Sequence, residues 1–294
     1  MTELLQFTVT GLALGAVYSL VALGFVVVWK SSGVANLAQG QLVLFFSWFT
    51  YGMLTQAGLP QWIGLPLVIV AAILLGWTME RVMLRPLIAQ PILSLITVTL
   101  GLAYFLEGLV GIIWPQSQVE FHLLPESTVH IGTAVVKQQE LWAAGISVGF
   151  FILLSLYFRY SKMGVAMRAT ADDQKAVQAC GIPVTKIFSR SWMFACVLAA
   201  TSGVLLSSIT GAINTSLLPT GLRAFSVVIL GGLDSFGGAM IAGPIIGLAE
   251  IIGSGYLTEL TWPLLRDVIP YIIIIIVMFI RPYGLFGESR IERI

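Results

Sequence analysis

Long apolar runs alternate with short polar ones along the whole chain. Residues 4–29 carry no charge, enough to cross a hydrocarbon core of about 30 Å with some tilt. Similar runs cover 42–56, 62–80, 92–114, 141–158 and 192–211. The last third is less regular. A short apolar piece at 222–233 meets a glycine-rich turn at 231–238, and a second piece follows at 239–256. A final run covers 262–280. Four glycines around Asp234 break any continuous helix there. The pattern predicts an all-α, polytopic transmembrane helix bundle of about eight to nine spans, with a glycine-broken segment near 231–243. One transmembrane domain over 1–294 is expected, with an inside loop at 159–190 and an external loop at 115–140.

The basic residues orient these runs. Lys30, Arg81, Arg85, Arg281, Arg290 and Arg293 follow apolar runs, and six of the fifteen basic residues lie in 159–190. Lys and Arg concentrate on the cytoplasmic side, so the N-terminus is expected outside and the C-terminus inside. That orientation takes about nine crossings. If 222–233 only dips in and returns, the count is eight. The first run is too long for a signal peptide and lacks a basic leader, so it is expected to stay as a span. The 115–140 segment holds Glu120, Glu126 and Glu140 against one base, Lys137. It is expected outside, as a small hairpin or a lid.

Two polar stretches carry structure of their own. In 159–190, Thr170 with Asp173 fits a capping box, and residues 172–180 tolerate a helix. Gly181 stands where a left-handed C-cap would, and Pro183 follows where a helix cannot continue. A short helix outside the bilayer is predicted, with small Ala169, Ala176 and Ala179 on one side. The residues leave a solvated connector and a docking surface equally open. In 31–41, the amides Asn36, Gln39 and Gln41 abut an apolar run. A plain loop is one reading. The other is a pathway lining, because non-helical backbone at membrane depth survives only inside protein or beside a wet cavity.

Composition agrees with a membrane protein. The chain of 294 residues is 57% hydrophobic and 10% charged, with a mean hydropathy of +0.95, whereas soluble domains carry about 25% charged residues. A net charge of +1 leaves no nucleic-acid footprint. Cys180 falls in the inside loop and Cys196 in a span, so no structural disulfide is expected. His122 and His130 lack zinc-site spacing, and no metal site is expected. No phosphate-binding GxxxxGK[ST] occurs, nor GxSxG, HExxH or CxxC. The intramembrane ionisable candidates are Glu107, Glu250 and the Arg266–Asp267 pair. A conduit therefore fits better than an enzyme built on Glu107 or the histidines.

Several stretches resemble the permease subunit of bacterial branched-chain amino-acid ABC importers, the LivH type, in the family shared with LivM-type permeases. They are GLALGAVYSLVALGFVVVWKSSGVANLAQGQ, RYSKMGVAMRATADDQKAVQACGI, ILGGLDSFGGAMIAGPIIGLAE and RPYGLFG. The resemblance covers essentially the full length. It implies a subunit that translocates branched-chain amino acids or related small solutes by alternating access. The implied partners are a second permease chain (LivM type or a second copy), two cytoplasmic ATPase subunits and a periplasmic binding protein, within the bacterial inner membrane. No cofactor is expected on this chain, since ATP and Mg would sit on the ATPases. The implied coupling residues are Gly164, Arg168, Ala169, Thr170, Asp172, Asp173, Ala176, Gly181 and Ile182. The expected pathway residues are Asn36, Gln39, Gln41, Gly231, Gly232, Asp234, Gly237 and Gly238. Two departures from the family stand out. Gln39 and Gln41 replace its His and Glu, and Glu107 replaces a neutral amide. They leave the solute open among branched-chain and aromatic amino acids, urea and short amides. The alternative reading is a self-sufficient channel or secondary transporter for a small neutral solute.

Overall fold

A computed structural model of the chain describes residues 2–87, 90–131, 134–172, 174–257, 265–281 and 283–287. Arg290 and Arg293, counted above toward orientation, lie outside the described residues, as does Asp173. The fold is all-α apart from two small ribbons. Its helices are α1 (Thr2–Ser32), α2 (Gln39–Tyr51), α3 (Gln61–Met79), α4 (Ile92–Ile113), α5 (Gln138–Tyr160), α6 (Lys162–Asp172), α7 (Gln174–Ala179), α8 (Val184–Thr210), α9 (Thr220–Gly231), α10 (Phe236–Leu257) and α11 (Leu265–Ile280). The short strands are β1 (Gln118–Glu120), β2 (Thr128–Ile131), β3 (Ala134–Lys137) and β4 (Ala212–Asn214).

Among the described residues, six helices are long and apolar enough to cross a membrane: α1, α3, α4, α5, α8 and α10. The eight to nine spans expected from sequence exceed this number because α2, of 13 residues, and the apolar α9 and α11 are too short. The 12 residues of α9 extend only about 18 Å. The apolar window of α1 is 89% buried, against 28% for α3, α4 and α5. Helix α1 is thus a core element, while the other three are left largely uncovered by the rest of the chain.

The chain divides into two compact units. The first comprises Met1–Val26, Leu124–Phe151 and Arg223–Ile294. Here α1 and α10 touch backbone to backbone. A Cβ on Gly15 would lie 2.6 Å from the Pro244 Cα, and one on Gly247 would lie 2.6 Å from the Gly15 Cα. Such approach is how helices gain contact in lipid, where no hydrophobic drive exists between them. Gly11 and Gly15 of α1 therefore line a packing seam against α10. Strands β2 and β3 pair antiparallel, with Val129 opposite Val136, so the 115–140 segment holds a small hairpin as expected.

The second unit comprises Val27–Leu123 and Ile152–Leu222. Helix α8 is its centre, packed by α2 and α3. Gly76 of α3 lies against the Trp192 carbonyl of α8, where a Cβ would be 2.6 Å away, and Gly203 of α8 lies as close to the Val43 carbonyl of α2. At one end, Trp114 stacks on Trp48 with centroids 6.1 Å apart, and its Nε1 donates to Gln56 Oε1 at 3.1 Å. There β1 pairs antiparallel with β4. A π-helical turn, Glu80–Leu84, ends α3 and brings Arg85 onto the buried Glu80 by two hydrogen bonds, 2.9 and 3.1 Å.

Candidate functional site

The polar 159–190 segment folds into two helices. Helix α6 turns back on the end of α5, and Gly164 makes this possible. A Cβ there would lie 2.7 Å from the Phe158 Cα and closer still to the Phe158 carbonyl oxygen. Arg168 then reaches back. Its Nη1 donates to the Phe158 carbonyl at 2.6 Å and its Nη2 to the Arg159 carbonyl at 3.5 Å. These belong to the last carbonyls of α5, which have no acceptor role within the helix and carry its negative dipole end. Arg168 is therefore a C-cap for α5. Met163 and Met167, both buried, face the start of α8, where Arg190 and Ser191 approach their sulfur atoms.

The predicted helix over 172–180 needs correction at its start. Thr170 is not an N-cap; it lies within α6, and its hydroxyl donates to the Ala166 carbonyl at 2.7 Å. The backbone here continues α6 through Asp172 before α7 begins. The capping-box reading failed because an i to i+3 pair of polar residues also occurs inside helices. The C-terminal stop holds. Gly181 has φ +79°, its N–H bonds the Gln178 carbonyl at 2.9 Å, and the Ile182 N–H bonds the Val177 carbonyl at 3.2 Å. This is a Schellman ending. Ala176, Ala179, Cys180, Gly181 and Ile182 are exposed, and Ala169 is half-buried.

The 31–41 stretch is a break between two helices. Helix α1 runs past Lys30 to Ser32, and α2 begins at Gln39. Asn36 and Gln39 are fully buried. Asn36 Nδ2 donates to Gln39 Oε1 at 2.9 Å, and Gln39 Nε2 donates to the Ala195 carbonyl at 3.3 Å. Ala195 lies near the middle of the 27-residue α8, so α2 begins deep beside that helix rather than at its end. Helix α9 begins at the same place. A Cβ on Gly221 would be 2.7 Å from the Gly40 Cα, and one on Gly40 would be 2.7 Å from the Leu218 carbonyl. Two helix N-termini thus meet at mid-depth. Gln41 is half-buried, one step further into α2.

The glycine turn is a clasp. A Cβ on Gly231 would lie 2.6 Å from the Gly238 carbonyl oxygen. Ser235 caps α10, its Oγ accepting from the Gly238 N–H at 2.9 Å. Residues 284–287 of the RPYGLFG stretch close over the turn. Leu285 N–H donates to the Leu230 carbonyl at 2.8 Å, and Phe286 N–H to the Gly231 carbonyl at 3.1 Å. A Cβ on Gly232 would be 2.6 Å from the Gly287 nitrogen. Gly237 has open space around it, and Asp234 lies in the turn between α9 and α10.

Glu250 is fully buried on α10, with Arg223 Nε 3.7 Å from its Oε1. Arg223 was not singled out by the sequence reading, yet it is the lone base in that short apolar piece, and a buried acid calls for such a partner. Glu107 is half-buried on α4. Glu140 is buried at the start of α5 and accepts from the Thr10 hydroxyl at 2.8 Å.

Comparison with known proteins places the whole chain. The profile of the family described as branched-chain amino acid transport system, permease component, matches residues 7–278. The chain belongs to this permease family. It is 31% identical to the high-affinity branched-chain amino acid transport system permease protein LivH of Escherichia coli K12, over 99% of this chain and 97% of that protein. It is 28% identical to the permease protein BraD of Pseudomonas aeruginosa over 99% and 98% of the two chains. A probable LivH of Methanocaldococcus jannaschii is 27% identical over 91% and 88%. No solved structure matches the permease.

Proposed function

We propose that this permease is the membrane-spanning subunit of an ATP-binding-cassette importer, carrying branched-chain amino acids or closely related small solutes inward. ATP hydrolysis belongs to separate ATPase chains, which also hold the ATP and Mg. A second permease chain and a periplasmic binding protein complete the assembly in the bacterial inner membrane. The N-terminus lies outside and the C-terminus inside. Helix α2 with the π-helical turn Gly52–Gln56, α9 and α11 supply the partial crossings that bring the count toward nine.

The observation that carries this reading is the α6–α7 pair. It sits between two long apolar helices and is fixed to the end of α5 by Gly164 and Arg168, with small Ala176, Ala179, Cys180 and Gly181 exposed at its tip. A push on that tip is transmitted to α5 and α8 as a rigid displacement, because no flexible linker intervenes between α5 and α6 beyond Ser161. The solute passes the place where α2 and α9 begin, with Asn36, Gln39 and Gln41 on one side. The 231–238 clasp ties the far end of α9 to α10 and moves with them. Alternating access then follows from displacement of α8 relative to the seam at Gly40 and Gly221.

An affinity pull-down of the detergent-solubilised chain from its native membrane tests this assignment, with co-purifying subunits identified by mass. An ATPase and a second permease are expected. Recovery of the chain alone in mild detergent sinks the importer assignment and favours a self-sufficient channel.

A further inference from the structure

Among the described residues, the acids buried by nine-tenths or more are Glu80, Glu140 and Glu250. Two of them hold a base. Glu80 takes two hydrogen bonds from Arg85, and Glu250 has Arg223 Nε at 3.7 Å. Glu140 has no such partner. Its carboxylate accepts from the Thr10 hydroxyl of α1, at 2.8 Å on Oε2, and no ion pair joins it to another described residue. Lys137, three residues before it, is exposed. A buried acid calls for a cation or a full set of donors, and one hydroxyl is neither.

The preceding side chain supplies a second and independent observation. Gln139, also buried in the first turn of α5, has no hydrogen-bond partner for its Oε1 among the described residues. Ser147 Oγ is in the same condition two turns on. Gln139, Glu140, Ala143 and Ser147 are the buried positions in this half of α5, and their spacing puts them on one helix face. Buried polar atoms are normally bonded, either to protein or to something held there. Among the described residues, no group of three or more His, Cys, Asp or Glu could hold a metal ion. An ammonium suits the first turn better. It has three donors and no acceptor, against the carboxylate oxygens of Glu140 and the amide oxygen of Gln139.

We propose that Glu140, held by the Thr10 hydroxyl, and Gln139 receive the ammonium group of an amino-acid solute. The site lies at the end of α5 that follows the β2–β3 hairpin. This rests on the importer assignment and deepens it, because in the proposed orientation that end is the outer one, where solute enters. Ser147 offers the next polar contact inward on the same face.

The test uses dicyclohexylcarbodiimide, which labels carboxyl groups at membrane depth. It is applied to the permease purified with its ATPase and second permease, with and without millimolar leucine, and mass spectrometry reads the label at each acid. Leucine is expected to lower labelling of Glu140 at least about tenfold and to leave Glu107 and Glu250 unchanged. The α-hydroxy acid analogue of leucine, in which a hydroxyl replaces the ammonium, is expected to protect at least about tenfold less well. Gln139→Leu removes the unpartnered acceptor. Its thermal midpoint is expected to hold or rise, while the leucine concentration for half protection rises at least about fivefold. Glu140→Gln is expected to lower ATP-dependent leucine uptake at least about tenfold. Equal protection by the hydroxy acid or by sodium chloride overturns the inference. So does half protection in Gln139→Leu at the unchanged leucine concentration, or a weakening there that comes only with a lowered midpoint. If the complex takes up leucine yet leucine never protects Glu140, the inference fails while the importer assignment stands. If neither an ATPase nor a second permease co-purifies, both fail.

Discussion

Replacing Gly164 by alanine adds a single methyl group at a tight helix reversal. That methyl would lie 2.5 Å from the Phe158 carbonyl carbon and 2.7 Å from its Cα. Both are backbone atoms near the end of α5, so no side-chain rotamer relieves the clash. Helix α6 must move away, and because the Phe158 carbonyl oxygen is closer still, ordinary contact at about 3.4 Å requires a shift of more than about 1 Å. The Arg168 Nη1 bond to the Phe158 carbonyl, now 2.6 Å, is lost or weakened by the same shift. Overpacking costs about 1–3 kcal/mol, and a hydrogen bond from a charged donor contributes about 1.5–3 kcal/mol. The two overlap, so a total of about 2–4 kcal/mol is expected. The spans remain inserted, because none of them depends on this corner. In reconstituted importer, ATP hydrolysis stimulated by loaded binding protein and solute uptake are measured together. Gly164→Ala is expected to lower uptake per ATP by at least about tenfold. Normal uptake and normal stimulation would refute the rigid connection between α5 and α6.

Four further outcomes follow from other contacts. Gly181→Val forces a β-branched residue into φ +79° and is expected to uncouple ATP hydrolysis from uptake, as is Arg168→Glu, which sets a carboxylate against the α5 carbonyls; normal coupling in both would exclude a transmitting role for 162–182. Gly40→Leu wedges the joint start of α2 and α9, where even a Cβ meets the Leu218 carbonyl at 2.7 Å, and is expected to abolish uptake while the complex still co-purifies. Glu250→Gln leaves Arg223 facing a neutral amide and is expected to destabilise the detergent-solubilised chain by about 3 kcal/mol in a thermal unfolding assay; an unchanged midpoint would show that the pair is not a structural one. Gly284→Val, at φ +77° and against the Ile229 carbonyl, is expected to release the RPYGLFG clasp, seen as faster proteolysis near residue 281.

Much of the architecture was legible because lipid imposes a simple rule. Every buried backbone group bonds within its own helix, so long uncharged runs mark helices. The runs at 4–29, 92–114 and 141–158 match α1, α4 and α5 to within a few residues. The helix ends were less legible. Lys30 marks an interface, yet α1 continues to Ser32, and α8 begins eight residues before the predicted 192 because Val184, Ile187 and Phe188 bury themselves in the fold. The depth at which α2 begins depends on contact with Ala195, 156 positions away, and no local pattern encodes that. Gly164 and Arg168 were found through family resemblance, but their physical role, a close helix reversal and a C-cap, emerges only from coordinates. Arg223 was overlooked for a simpler reason: its apolar neighbours masked it, and its partner Glu250 lies in another helix.

Uptake of radiolabelled leucine into proteoliposomes bears most directly on the central assignment. The permease is reconstituted with its co-purifying ATPase and second permease, with binding protein supplied on the substrate side. The account predicts accumulation that requires ATP and the binding protein and disappears when the permease is present alone. Leucine or another small solute entering vesicles that hold only this chain, at the same rate with and without ATP, would contradict it.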